Sequence, residues 1–186
     1  MKLFKPHGPL QMLRLRLLYR EAFPRCERKP FSMIREMAER GKSDLWYFED
    51  DKGFAGLCAT INGEDKVLID YLAVAKNRRG RGVGSKMLAL LLEHYKGFGV
   101  FLEIEEIDTS AENNAERIRR KEFYLRAGLT PMDTHVKLFG VDMELLGVGC
   151  HLTYDEYRNF YLTNYSKFAY DNITESTAVP QHREGE

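Results

Sequence analysis

Between the apolar run VLIDYLAVA and the helical pattern SKMLALLLEHY lies RRGRGVG, residues 78–84, in which three glycines and three arginines share seven positions. A helix N-terminus carries unpaired backbone N–H groups and a partial positive charge, and glycines let a phosphate approach that backbone with no Cβ in the way. Arg79, Gly80, Arg81, Gly82, Val83, Gly84 and Ser85 therefore form a candidate phosphate-binding turn, with a helix starting near Gly84. The plain alternative is a solvated basic turn with helix-capping glycines. Against it, glycines this close together weaken a helix start unless something approaches the backbone.

Counting separates the known phosphate loops. A P-loop needs Gly, four residues, then Gly-Lys-Ser/Thr, and Ser85 stands where the second glycine belongs. A dinucleotide fingerprint fits Gly80 and Gly82, again meets Ser85 at the third glycine, and wants the strand to run straight into the turn, where charged KNRR intervenes. Glu103 and Glu105 fall about where a ribose-binding acid would sit, ~20 residues on, which keeps an NAD(P)-binding oxidoreductase as an alternative.

The remaining pattern, Arg/Gln-x-x-Gly-x-Gly/Ala at Arg79, Gly82 and Gly84, resembles the acetyl-CoA pyrophosphate loop of the GNAT N-acetyltransferases. Its setting is similar too: a strand ending in LAV, the turn, a helix, a parallel strand, then FYLRAGL, which resembles the family's F-Y-x-x-x-G-F/L. Roughly residues 44–148 carry the resemblance. It implies an α/β (α+β) single-domain GNAT fold, with a mixed, mostly antiparallel sheet whose central parallel strand pair is flanked by helices. It further implies an enzyme that moves acetyl from acetyl-CoA to a primary amine, of a small molecule or a peptide, by direct attack in a ternary complex and without a metal.

Such a transfer needs a polarised thioester, a deprotonated amine and a proton for the leaving thiolate. The resemblance implies that the strand before the loop splays from its parallel neighbour, so that main-chain groups of Leu72, Ala73 and Val74 pair with the pantetheine arm and the thioester. Tyr124 matches the family's general acid, and its plain alternative is a core tyrosine. An alkylamine is almost wholly charged at neutral pH, so a carboxylate must take its proton. In FLEIEEI, strand alternation puts Glu103 and Glu105 on one face and Glu106 on the other. Either glutamate is a candidate base; the alternative is pairing with the basic helix ERIRRK or an open sheet face, and Asp70 is an outside candidate.

Departures from the family pattern mark the donor and acceptor sides. Many relatives carry an asparagine seven residues before the tyrosine, where this chain has Arg117, leaving Asn113 or Asn114 as replacements for the contact to the CoA arm. Arg119 and Arg120 are candidates for CoA phosphates, for the sheet-face glutamates, or for a solvated helix face. FPRCERKPF, residues 23–31, lies where GNAT proteins build part of the acceptor wall, and Glu27 there is a weaker candidate for an acceptor amine than for a surface ion pair.

The elements that must position these residues follow from periodicity. HGPLQMLRLRLLYREAF and FSMIREMAERGK have helical spacing, and DLWYFED, DKG and FAGLCATI make a hairpin pattern. KVLIDYLAVA is a third strand. A helix over 84–95, a strand in FGVFLEIEEI and a helix in NNAERIRRKEFYLRAG form a βαβ unit, which makes strands 67–75 and 99–107 parallel. Two short apolar runs reach Val148, and LTYDEYRNFYLTNY opens with a capping-box pattern, Thr153 to Glu156, with aromatics at helical spacing. One domain over residues 1–170 and a disordered tail over 171–186 are expected.

Composition limits the partners. Of 186 residues 44% are hydrophobic and 12% aromatic, enough for one core. Lys+Arg and Asp+Glu number 28 each, so no chain-wide field draws nucleic acid or an anionic membrane, and neither is expected as a partner. No signal peptide or ~18-residue apolar span is visible, so a cytoplasmic location is expected. Cys26, Cys58 and Cys150 suit small buried hydrophobes rather than disulfides or zinc. By family analogy a homodimer is an expectation. A CoA-binding sensor or interaction domain without chemistry is the remaining alternative to an enzyme.

Overall fold

A computed structural model describes residues 1–176. Its chain order begins with β1 (Lys2–Phe4), α1 (Pro9–Ala22), α2 (Phe31–Glu39), β2 (Leu45–Asp50), β3 (Gly53–Asn62) and β4 (Lys66–Val74). A 3₁₀ turn at Lys76–Arg78 leads to α3 (Val83–His94), β5 (Gly99–Glu105), α4 (Asn114–Arg126), β6 (Thr130–Leu138) and β7 (Val141–Val148). The C-terminal part is α5 (Tyr154–Asn164), α6 (Lys167–Asp171) and β8 (Ile173–Glu175). One sheet holds all eight strands in the order β1-β2-β3-β4-β5-β7-β6-β8, mixed and mostly antiparallel, with β4 and β5 as its parallel pair.

Strand alternation sorts side chains onto two faces. Val100, Leu102 and Ile104 of β5 join Trp46, Phe48 and Ile69 under α3 and α4, which contribute Met87, Leu88, Leu91 and the partly buried Phe123 and Tyr124. The opposite face is divided. Tyr47, Leu57 and Tyr71 pack against Leu15, Leu18 and Tyr19 of α1, whereas Leu68 and Phe101 pack against Tyr157, Phe160 and Tyr161 of α5. Thr153 caps α5 through the reciprocal bonds with Glu156 that its sequence announces.

The parallel pair is short. β4 and β5 are in register only at Lys66↔Gly99, Val67↔Val100 and Leu68↔Phe101; beyond that β4 follows β3 and β5 follows β7. The cause is visible on β4, where Ala59 opposes Tyr71 and Thr60 opposes Ile69, so Asp70 is the extra residue of a bulge. A bulge bends its strand and sharpens its twist, and here it turns the end of β4 away from β5. A wedge opens between the strands, bordered by Ile69–Val74 on one side and Leu102–Glu105 on the other.

One boundary and one cysteine differ from the sequence reading. Residues 171–175, assigned above to the tail, are the end of α6 and the strand β8, which pairs with β6 and buries Ile173. A three-residue edge strand has too little alternation to announce itself, as β1 also illustrates. The rest of that tail, 177–186, lies outside the described residues. Cys26 is exposed rather than buried.

Candidate active site

On the α3 side of the wedge, the glycine-rich turn has the backbone that an anion needs. Gly82 is the N-cap of α3 in the left-handed region, φ +70°, and offers no side-chain cap; Gly80 has φ +72°. The Lys86 N–H is the first to bond back, to the Gly82 carbonyl at 3.2 Å, and the N–H groups of Gly80 through Ser85 have no acceptor among the described residues. Val74, Arg79, Gly82, Gly84, Ser85 and Phe123 line a cavity of about 290 Å³ there. A Cβ on Gly84 would meet Val74 and Phe123 at 3.4 Å, so this position is tight against β4 and α4. Arg81 stands exposed on the turn.

The two leading arginines have different duties. Arg78 is buried and clasps Asp50 at 2.5 and 2.6 Å and the Gly53 and Phe54 carbonyls at 3.3 Å, which ties the turn to the β2–β3 hairpin. Arg79 is exposed, and its Nε donates to the Val74 carbonyl at 3.0 Å. Leu72, Ala73 and Val74 pair with Cys58, Leu57 and Gly56 of β3, and among the described residues no strand pairs with their other edge, which faces the wedge. Tyr124 lies on the same side, its ring 5.0 Å from that of Phe123. Burial pushes its phenol up to about 12, against an opposing pull from Arg120, and its hydroxyl has no hydrogen-bond partner among the described residues.

The α5 side of the wedge holds most of the charge. Glu103 Oε1 accepts from the Tyr157 and Tyr161 hydroxyls, each at 2.7 Å. Burial pushes the Glu103 carboxyl up, and the two hydroxyls pull part of that back. Beside it the Lys29 ammonium donates to both oxygens of Asp70, at 2.7 and 2.8 Å, and lies 4.1 Å from the centre of the Tyr165 ring. Burial pulls that ammonium down, but Asp70, Tyr165 and Glu103 together outweigh it, and Lys29 ends above its ordinary value. The loop carrying Lys29 is fixed to β4, because the Tyr71 hydroxyl donates to the Glu27 carbonyl at 2.9 Å and accepts from the Lys29 N–H at 3.2 Å.

Glu105 is differently placed. Arg117 donates to its Oε1 at 3.0 Å, while Arg120 at 3.2 Å and Asn113 at 3.5 Å reach Oε2. Arg117 also donates to the Asn113 side chain and the Glu106 carbonyl, and the Asn114 side chain accepts from the Asp108 N–H. Arg117, Asn113 and Asn114 thus have partners within the protein. The exposed Glu27 carboxyl is pushed up by partial burial and by the nearby charge of Glu105. Among the described residues no three His, Cys, Asp or Glu side chains converge as a metal site.

The glycine-rich turn, Val74 and Phe123 thus share one cavity with Tyr124 packed beside Phe123, while Glu103 lies on the opposite, α5 face of the sheet. Sequence reasoning missed Lys29, Tyr157, Tyr161 and Tyr165. The tyrosines had a signal, since 157, 161 and 165 recur at four-residue spacing on one helix face. Lys29 had none, because its partner is 41 residues away.

Comparison with known proteins agrees with this fold. The model of the GNAT acetyltransferase family matches residues 12–128. The chain belongs to the GNAT acetyltransferase family. This GNAT chain is 29% identical over 106 residues to YjbC of Bacillus subtilis (strain 168), which is named as a candidate acetyltransferase; the match covers 57% of this chain and about half, 51%, of YjbC. A GNAT-family protein from Bacteroides thetaiotaomicron superposes with a TM-score of 0.74 at 20% identity, over 90% of this chain and 100% of that one. A Bacillus subtilis acetyltransferase solved with CoA gives 0.58 at 15% identity, over 79% and 95% of the two chains. Arabidopsis thaliana NAA60, solved with acetyl-CoA, gives 0.57 at 16%, over 79% and 98%. These likenesses show the shared GNAT fold. Among the described residues no helix is long and apolar enough to cross a membrane.

Proposed function

We propose that the chain transfers an acetyl group from acetyl-CoA to a primary amine, with the donor on the α3 side of the wedge and the acceptor on the α5 side. The observation that carries this reading is the short parallel pair, which leaves the β4 edge without a partner strand among the described residues, between an uncapped helix N-terminus and a half-buried carboxylate. The N–H groups from Gly80 to Ser85 hold the pyrophosphate, as a helix start favours anions. The open edge from Leu72 to Val74 bonds the pantetheine arm, and a main-chain N–H there polarises the thioester carbonyl. CoA in the structures of the Bacillus subtilis and Arabidopsis relatives supports the choice of donor. The acetyltransferase domain runs from the N-terminal region through β8, whose Ile173 belongs to the core under α5.

In the transfer, Glu103 takes a proton from the acceptor ammonium, directly or through a water. The neutral nitrogen attacks the thioester carbonyl, the C–N bond forms, the nitrogen gives its second proton to solvent, the C–S bond breaks, and the thiolate leaves toward Tyr124. A phenol near 12 is a weaker acid than a thiol of ~8.5, so full transfer from Tyr124 is uphill. Its share is a hydrogen bond that strengthens as charge gathers on sulfur, with the proton following from solvent. Glu105, neutralised by two arginines, stays outside the proton path.

The test is CoA release from acetyl-CoA in the presence of a panel of small and peptide amines, with E103Q and Y124F beside the wild type. Release dependent on an amine and lost in E103Q supports the proposal. Acetyl-CoA binding with no release for any amine replaces it with a CoA-binding module.

A further inference from the structure

We infer that the tyrosine face of α5 dedicates Glu103 to one direction: Tyr157 and Tyr161 occupy Oε1, and Oε2 alone is left to take the acceptor's proton. The two tyrosines are positioning residues, acting through the glutamate. They stand four residues apart on α5, so their hydroxyls reach the same point, with ring centres 5.2 Å apart and planes at 67°. Both hydroxyls donate to the same oxygen at 2.7 Å, which uses the two lone pairs it has to offer. Oε2 has no hydrogen-bond partner among the described residues, and it is not one of the sealed, unpartnered side-chain atoms, which are Arg28 Nε and Arg158 Nε. Rotating the carboxylate would forfeit both bonds. The free oxygen is therefore held in place, and it is not sealed in the interior.

The contrast with Glu105 selects between the two carboxylates of β5. Glu105 has an arginine donor on each oxygen, so neither oxygen is left without a partner and its charge is already compensated. Around Glu103 the titratable and charged groups are Tyr157 and Tyr161 from α5, Asp70 from β4 and Lys29 from the loop between α1 and α2; its cross-strand neighbour on β7 is the apolar Leu145. Lys29 is held by Asp70 and by the ring of Tyr165, the C-cap residue of α5, so that its charge supports the ionised Glu103 without bonding to it. Both clamping tyrosines lie beyond residues 12–128, so the family-matched segment does not contain this device. Only the role of Oε2 rests on the acetyl-transfer reading; the clamp can be tested without any ligand.

The experiment is a ¹³C-carboxyl NMR titration of the full chain labelled at glutamate, with the Glu103 signal identified by its loss in E103Q. Hydrogen bonds to the ionised form hold a carboxyl down, so Y157F and Y161F should each move the Glu103 midpoint upward, and the double variant further than either. Y154F, whose hydroxyl donates instead to the Ile173 carbonyl at 3.3 Å, should leave it in place. An unmoved midpoint in the double variant, with native spectral dispersion, overturns the clamp. In parallel, CoA release with n-butylamine as the acceptor probe should fall in E103Q and persist in E105Q, and the reverse pattern overturns the assignment of Oε2. If the wild type neither binds acetyl-CoA nor releases CoA above the amine-free rate, the acetyl-transfer reading falls, and the titration still decides the clamp.

Discussion

Lys29→Met tests how the acceptor side is held together. The Lys29 and Asp70 side chains are 19% and 11% exposed and joined by two bonds, and the ammonium also lies over Tyr165. Removing one partner of such a buried pair leaves an uncompensated charge, which costs about 3–5 kcal/mol. The residual exposure of both groups places the expectation at the lower end, about 3 kcal/mol, including the lost contact with the ring. For a chain of this size that is a fall in Tm of roughly 6–12 °C. The second half of the prediction concerns the partner. Replacing both residues in K29M/D70L should recover most of the loss, because two apolar side chains remove both desolvation penalties. Urea unfolding at neutral pH, followed by the fluorescence of the chain's one tryptophan, Trp46, measures both. A K29M variant within about 1 kcal/mol of wild type, or a double variant no better than the single, would refute the view that Asp70 needs Lys29.

Other parts of the account make further predictions. Gly82→Val forces a β-branched residue into φ +70° and puts its side chain into the open space from which a phosphate would approach the backbone, so the folded variant should lose acetyl-CoA binding by calorimetry while circular dichroism stays native. Tyr124→Phe should lower kcat by ~10²–10³-fold with the acetyl-CoA Kd unchanged, as expected for loss of one hydrogen-bond donor to the charge that gathers on the leaving sulfur. Asp44 is pushed up by burial but pulled down further by its bonds from Lys5 and the Tyr95 hydroxyl, for a net fall. Its contribution to stability is thus complete above the ordinary aspartate range near ~3.9 and is lost as pH drops through the lower folded value. In D44N the acid limb of Tm against pH should be flatter than in wild type.

Local chemistry was the legible part of the sequence. The turn at 79–85 declares itself because glycines at a helix start serve little but backbone approach, and Thr153 and Glu156 declare α5 because a capping box is a four-residue device. The alternation that puts Glu103 and Glu105 on one face is also local. What each glutamate meets is not, since Tyr157 and Tyr161 lie 54 and 58 residues beyond Glu103 and arrive only when α5 packs across Phe101. The same holds for Arg78, which reads as one more basic residue of the turn and is a buried strut to Asp50. The bulge at Asp70 depends on the register with β3, and an apolar strand interrupted by one aspartate gives no sign of it. β1 and β8 were missed because three residues at a sheet edge carry no periodicity.

The central claim is that the open edge of β4 and the uncapped start of α3 form an acetyl-CoA site. Calorimetric titration of the full chain with acetyl-CoA, beside folded variants carrying bulky residues at Gly82 and Gly84, tests it most directly. Saturable binding at one site per chain, lost in those variants and retained in E103Q, is the predicted result. Absence of binding by the wild type, or binding that survives in the Gly82 and Gly84 variants, would contradict the claim.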